Sequence, residues 1–129
     1  LQATGTAHNT TPALTVTANA PFTINARDSF VGDKTQTGHM ENYTSGAYSA
    51  PHDYLASAMT VSGTLNGTVD NTDTNDLAAG SGTLYTGSAA IANTVLALDF
   101  AQPVAVTDKR LQNAGSVYAI DITFTLTVP

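Results

Sequence analysis

Apolar and polar residues alternate strictly along the last dozen residues of the chain. Every second residue from Tyr118 to Val128 is apolar, and the residues between them are mostly threonine. Successive side chains of a β-strand point to opposite faces, so this pattern predicts a strand with one face in an apolar core. The apolar face consists of Tyr118, Ile120, Ile122, Phe124, Leu126 and Val128.

A second alternating segment, built from smaller side chains, lies near the N-terminus. Its apolar positions are Leu14, Val16, Ala18 and Ala20. Pro21 follows, and because proline cannot donate a ladder hydrogen bond, the predicted strand ends there. The first twelve residues are small and polar, which predicts a flexible tail or a thin edge strand.

The rest of the chain predicts further short strands and no amphipathic helix of useful length. Phe22 begins one strand directly after the proline, and Met59 begins another that ends at the hairpin signal Asn66-Gly67. Glycines and prolines between residues 28 and 57 break the pattern into short strands and loops. About seven strands at this spacing predict an all-β fold, an antiparallel Ig-like β-sandwich.

Composition narrows the functions that this fold could serve. The chain has 129 residues, a formal net charge of −6 and only 4 Lys and Arg together, so it lacks the basic patches that nucleic acids and anionic membranes require. It has no cysteine, which excludes a disulfide scaffold and a thiolate metal site. No apolar run is long enough for membrane insertion as a helix. Because the first residue is Leu1, we expect a removed signal peptide and an extracellular location.

Few residues point to catalysis or to a cofactor. His8, His39 and His52 have no metal-ligand spacing, and Glu41 is the only glutamate, which disfavours a glycosidase pair. Asp70–Asp76 is rich in calcium-type ligands, but a solvated turn is the commoner reason for such a loop. We therefore predict no enzyme activity, no metal and no cofactor. A scattered set of loop tyrosines offers only a weak carbohydrate-binding signal; its members are Tyr43, Tyr48 and Tyr54.

Both alternating segments resemble the Cys-less major subunits of chaperone–usher pili. The C-terminal likeness lies in Ala114-Gly115, Tyr118 and the Val/Thr-type alternation that runs to the terminus. The N-terminal likeness lies in Leu14-Thr15-Val16-Thr17-Ala18, followed by Pro21 and the first core strand. The chain is also similar to bundling-pilus and matrix-fibre subunits of archaea and Gram-positive bacteria.

The resemblance implies assembly by donor-strand complementation, in which each subunit completes the sheet of its neighbour. Residues 1–20 would be the tail and donor strand, and residues 21–129 the incomplete sandwich. The donor residues would be Leu14, Val16, Ala18 and Ala20, inserted into an acceptor groove of the neighbour. That groove would be walled partly by Tyr118, Ile120, Ile122, Phe124, Leu126 and Val128.

The expected function is therefore that of a structural subunit of an extracellular pilus, serving adhesion or biofilm formation. Its partners would be identical copies, together with a periplasmic chaperone and usher in the chaperone–usher case, and host or surface glycans as adhesion targets. Two alternatives are a secreted carbohydrate-binding β-sandwich module and a viral or phage surface protein.

Overall fold

The computed structural model describes residues 4–65, 68–69, 75–77 and 81–129. Within these ranges the chain is all-β, its strands pair antiparallel, and it contains no α-helix. The prediction of an all-β, antiparallel fold is confirmed. The strands are β1 (Gly5–Asn9), β2 (Ala13–Ala18), β3 (Phe22–Asp28), β4 (Glu41–Thr44), β5 (Ala47–Tyr48), β6 (Thr60–Leu65), β7 (Thr68–Val69), β8 (Asn75–Asp76), β9 (Ser81–Gly87), β10 (Ile91–Val104), β11 (Ser116–Ala119) and β12 (Ile122–Thr127).

The large sheet has six strands arranged around β10, a strand of 14 residues. On one side β10 pairs with β1 and β2, and on the other side with β6, which also pairs with β7 and β8. Pro103 does not end β10, although a proline commonly ends a strand. The ladder to β6 stops at Ala101, so Pro103 has a strand neighbour on the β1 side only and its missing N–H leaves no gap between two strands.

Two smaller sheets contain three strands each, in the orders β12-β3-β9 and β11-β4-β5. The prediction of one continuous terminal strand is wrong, because the chain changes sheet at Ile120 and Asp121. The physical reason is the length of the partner strand: β3 ends at Asp28, opposite Ile122, and the Ser29 N–H closes the corner with a 2.8 Å hydrogen bond to the Asp121 carbonyl.

Turn chemistry explains how β4 and β5 are joined. Ser45 and Gly46 both have positive φ, 53° and 86°, which is the requirement of a two-residue type I′ hairpin. The predicted hairpin after β6 is confirmed by the pairing of Leu65 with Thr68, although Asn66 and Gly67 themselves lie outside the described residues.

A single apolar core receives side chains from the large sheet and from the β12-β3-β9 sheet. Burial alternates along β3 and β6, so that Phe22 and Ile24 enter the core from one sheet and Val61 from the other. Leu96 and Leu98 of β10 join them. Each fully buried side chain of this size contributes about 1.5–3 kcal/mol of hydrophobic stabilisation.

The C-terminal apolar face is less buried than its pattern suggests. All six of its residues are half-buried or exposed, with Leu126 40% and Val128 38% exposed. The predicted apolar face is only partly buried in a single chain, where Ile120, Ile122 and Phe124 pack against the core. The cause is the position of β12, which is an edge strand and pairs with β3 alone.

Replacing Gly87 with alanine should destabilise the fold by about 1–3 kcal/mol, because a buried core resists overpacking. A Cβ at Gly87 would lie 2.1 Å from Cε1 of Phe22, which is 2% exposed and has no free direction in which to move. Urea unfolding would measure the loss. The neighbouring exposed variant Ser88→Ala is the control, and an equal effect in both variants would contradict the packing argument.

Candidate interface site at the N-terminal strands

The N-terminal segment, residues 4–18, lies along almost the whole length of β10. β1 pairs with the C-terminal half of β10, from Gly5 opposite Val104 to Asn9 opposite Phe100. β2 pairs with the N-terminal half, with Ala13 opposite Ala97 and Ala18 opposite Ile91. One interrupted strand therefore covers one complete side of the central strand of the large sheet.

Two buried side chains anchor this segment. Val16 and Ala18 are buried, Leu14 is half-buried, and the residues between them in β2 are exposed. The predicted alternation of apolar side chains inward and threonine outward is thus confirmed for β2. All five residues of β1 are exposed, so β1 is held mainly by its backbone ladder. Ala20 lies beyond the end of β2, in the connection to β3.

The ladder partner of the predicted donor residues is β10, not the terminal strand. Leu14 faces Leu96, and Val16 faces Thr94, in the large sheet of the same chain. β12 pairs instead with β3 in another sheet, with Leu126 opposite Ile24. Among the described strands, β1 and β2 have no neighbour other than β10, and β12 has none other than β3.

An apolar groove of about 590 Å³ separates the N-terminal segment from the terminal strands. It brings together four of the six predicted acceptor residues, which are Tyr118, Ile120, Ile122 and Phe124. The opposite wall includes Ala7, His8 and Pro12. Leu126 and Val128 are not part of this groove and lie farther along the edge.

Aromatic side chains of β10 and of the terminal strands line the groove. The rings of Phe100 on β10 and Phe124 on β12 meet edge to face, with centroids 6.4 Å apart. Tyr118 donates its hydroxyl hydrogen bond to the Lys109 carbonyl. Burial, followed by the charges of Asp53 and Asp108, raises the pKa of Tyr118, so this hydroxyl stays protonated and remains a donor.

A polar contact adds to the attachment of β1. Nδ1 of His8 lies 3.0 Å from one carboxylate oxygen of Asp99 and 3.2 Å from the other. Both side chains are well exposed, so the pair contributes at most a small amount to stability. Its effect is to fix β1 diagonally to β10, which supplements the ladder.

The histidines and acidic residues pair separately in the part of the chain that is described. His52 contacts Glu41 rather than the adjacent Asp53, and Asp53 pairs with Lys109. No group of three potential metal ligands occurs among the described residues. Most of the Asp70–Asp76 calcium candidate, residues 70–74, lies outside them.

The three loop tyrosines do not form one flat surface. Tyr43 and Tyr48 meet edge to face at 5.1 Å, whereas Tyr54 packs against His39. Tyr48 is buried, and its hydroxyl donates to Asp121 at 3.0 Å. Stacked sugar recognition needs exposed ring faces, so this arrangement gives the carbohydrate alternative little support.

Buried carboxylates at the two ends of the β3–β4 connection were not predicted from the sequence. Glu41 is completely buried and accepts hydrogen bonds from the Thr35 N–H (2.9 Å), the Gln36 N–H (3.1 Å) and Nδ1 of His52 (2.8 Å). Burial by itself raises the pKa of Glu41, but the hydrogen bonds from Thr35, His52 and Gln36 together outweigh it, so the pKa is lowered from its usual 4.5. A single glutamate at the start of a short strand carries no periodic signal that could have revealed this role.

Comparisons with known proteins give no match: no family model fits the chain, and neither a curated protein nor a solved structure is significantly similar to it. In the described residues there is no helix of the length and hydrophobicity that a membrane span needs.

The Glu41→Gln substitution should destabilise the fold by about 1–3 kcal/mol at neutral pH, because the amide places donors against backbone N–H groups. The folded-state pKa of Glu41 is lowered, so its carboxylate stabilises the fold above the unfolded-state value near 4.5. This stabilisation is lost as pH falls through the lower folded-state pKa. The difference between wild type and variant should therefore shrink in acid.

Urea unfolding of both proteins as a function of pH would measure this difference. Asp33→Asn, at an exposed position in the β3–β4 connection, is the control and should leave stability nearly unchanged at neutral pH. A constant gap between wild type and Glu41→Gln at all pH values would contradict the assignment.

Proposed function

We propose that this chain is the structural subunit of an extracellular, pilus-like filament that polymerises non-covalently by exchange of its N-terminal segment. Each subunit is an antiparallel sandwich that one strand must complete. In the filament, residues 4–18 of one copy take the place beside β10 that the same residues occupy within a single chain.

The observation that carries this proposal is the isolation of the N-terminal segment. β1 and β2 are first in the chain, and their only strand partner is β10. Removing them therefore breaks only their two ladders with β10 and leaves every other described strand pairing in place. The same segment of another copy can restore each lost contact, which is the condition for domain swapping at low energetic cost.

The connection between β2 and β3 limits the geometry of exchange. Only Asn19, Ala20 and Pro21 separate the two strands. An extended stretch of three residues spans roughly 10 Å, so the donating and accepting subunits must lie in direct contact. Donor and acceptor surfaces are different, so the contact is head-to-tail and generates an open fibre when the rotation does not close.

Strand exchange by itself replaces contacts within a chain by identical contacts between chains, so it does not favour the polymer. Burial of additional apolar surface between subunits must do so. The apolar groove and the free edge of β12 provide that surface. Leu126 and Val128 remain partly exposed on this edge in a single chain. Burying them against a neighbour would contribute hydrophobic stabilisation that the monomer lacks.

A paired-cysteine variant, Thr15→Cys with Val95→Cys, should report directly where β2 is docked. The two residues are directly opposite each other in the ladder and their side chains are exposed. Cross-strand pairs at this separation are within reach of a disulfide. Filaments assembled under reducing conditions and then oxidised should give a ladder of covalent oligomers on a non-reducing denaturing gel.

Oxidation before assembly should instead give a closed monomer that cannot polymerise. The single variants Thr15→Cys and Val95→Cys are the controls, since neither can form the cross-strand bond. Filaments that yield only internally crosslinked monomer, or a protein that stays monomeric under all conditions, would contradict strand exchange. A monomer that binds glycans in calorimetry would favour the carbohydrate-binding alternative.

The substitution Leu126→Lys should weaken assembly while leaving the monomer folded. Leu126 is 40% exposed, so lysine can reach solvent in the monomer, but it would place a charge in the proposed subunit contact. We expect the critical concentration for assembly to rise roughly five- to tenfold. Sedimentation of filaments would measure this concentration.

Thr125→Lys is the matched control, because it adds the same charge one residue away on the other face of β12. It should assemble at nearly the wild-type concentration if the Leu126 face carries the contact. Equal assembly of wild type and Leu126→Lys would exclude this face from the filament interface.

A further inference from the structure

Lys34 and Asp28 form an ion pair that is completely removed from solvent. Both side chains are 0% exposed, and the lysine Nζ directly contacts Oδ2 of the carboxylate. Lys34 lies in the β3–β4 connection, and Asp28 is the last residue of β3. The chain has only 4 Lys and Arg in total. It is therefore unusual that one of them lies in the interior.

Burial of this pair is costly as long as both groups are charged. The desolvation of two ions amounts to several kcal/mol each, and their attraction offsets it only when the geometry and the other hydrogen bonds are good. Proton transfer from the ammonium to the carboxylate would remove both charges and leave an amine beside a carboxylic acid. An amine in contact with a carboxylic acid, out of reach of water, is the reactant pair of amide formation.

We infer that Lys34 and Asp28 are the site of an intramolecular amide crosslink formed by condensation of the two side chains. The Lys34 ammonium first gives one proton to Oδ2 of Asp28. The amine lone pair then attacks Cγ, so that the Nζ–Cγ bond forms and the Cγ–Oδ2 bond breaks. A second amine proton leaves with Oδ2 as water, and one amide and one water replace one ammonium and one carboxylate. No oxidant or co-reactant is needed.

The hydrogen bonds to Asp28 suit this reaction. The Phe30 N–H donates to Oδ1 at 2.8 Å, where negative charge develops in the tetrahedral intermediate. The Gly38 N–H donates to Oδ2 at 2.7 Å and fixes the carboxyl group in front of the amine. The Tyr48 ring lies 5.8 Å from Nζ and helps to shield the pair from solvent.

A second lysine–aspartate pair in the same chain serves as an internal control. Lys109 Nζ lies 3.1 Å from Oδ2 of Asp53, but the lysine side chain is 61% exposed. Water solvates this lysine, so the pair lacks the dry environment in which the condensation is proposed to occur. The inference predicts a crosslink at Lys34 and none at Lys109, and it does not depend on the proposed filament function.

Mass spectrometry of the intact, denatured protein tests the crosslink without any variant. The wild-type mass should be lower than the mass of the sequence by one water. Trypsin should cleave after Arg27 and Lys109 but not after Lys34, because an acylated lysine is not a substrate. The digest should therefore contain residues 28–109 as one dehydrated fragment.

A wild-type mass equal to that of the sequence, with fragments 28–34 and 35–109 released by trypsin, would overturn the inference. Lys34→Arg and Asp28→Ala should each restore the full sequence mass, and both measurements remain valid on unfolded protein. Loss of one water that persists in Lys34→Arg would place the modification elsewhere and would equally overturn it.

Discussion

The antiparallel ladder between β10 and the N-terminal segment is the interaction on which the proposed biology depends. β10 supplies Leu96 and Leu98 to the core and holds β6 on its other side, so its unpaired backbone would weaken the centre of the large sheet. Each ladder hydrogen bond contributes about 1 kcal/mol net. Leaving this side of β10 unpaired would therefore lose the stabilisation of the whole ladder. The same backbone hydrogen bonds can form whether the strand beside β10 comes from the same chain or from another copy.

The strand edges of this chain are unusually poorly protected against such pairing. Soluble proteins guard exposed edges with lysine, proline or inward-pointing charges. β2 and β12 contain no charged residue, and threonine occupies many of their outward positions. The groove that separates the N-terminal segment from β12 is likewise mainly apolar. These features would be a liability for a monomer, and they are the features expected of a subunit that meets copies of itself.

Periodicity predicted the local structure well and the long-range pairing poorly. The alternation of Leu14, Val16 and Ala18 with threonine correctly gave the orientation of β2, because side-chain direction in a strand follows from sequence order alone. It could not identify β10 as the partner, since register between segments about eighty residues apart depends on the whole core. A proline commonly ends a strand, but Pro103 does not end β10, because at this position β10 pairs with β1 only and has no neighbour on its other side. The buried roles of Lys34, Asp28 and Glu41 were missed because charged residues in loops and at strand ends are ordinarily solvated.

The buried polar groups explain how a cysteine-free chain holds its long connection between β3 and β4. Asp28 binds the backbone of Phe30 and Gly38, and Glu41 binds that of Thr35 and Gln36, so two carboxylates fix both halves of the loop. Tyr48 ties this region to Asp121, at the corner where the terminal strand changes sheet. A pull on the terminal strands is thereby resisted by a polar network as well as by the apolar core. If Lys34 and Asp28 are joined by an amide, the strongest point of that network is covalent, and in the proposed filament this corner would resist tension between subunits.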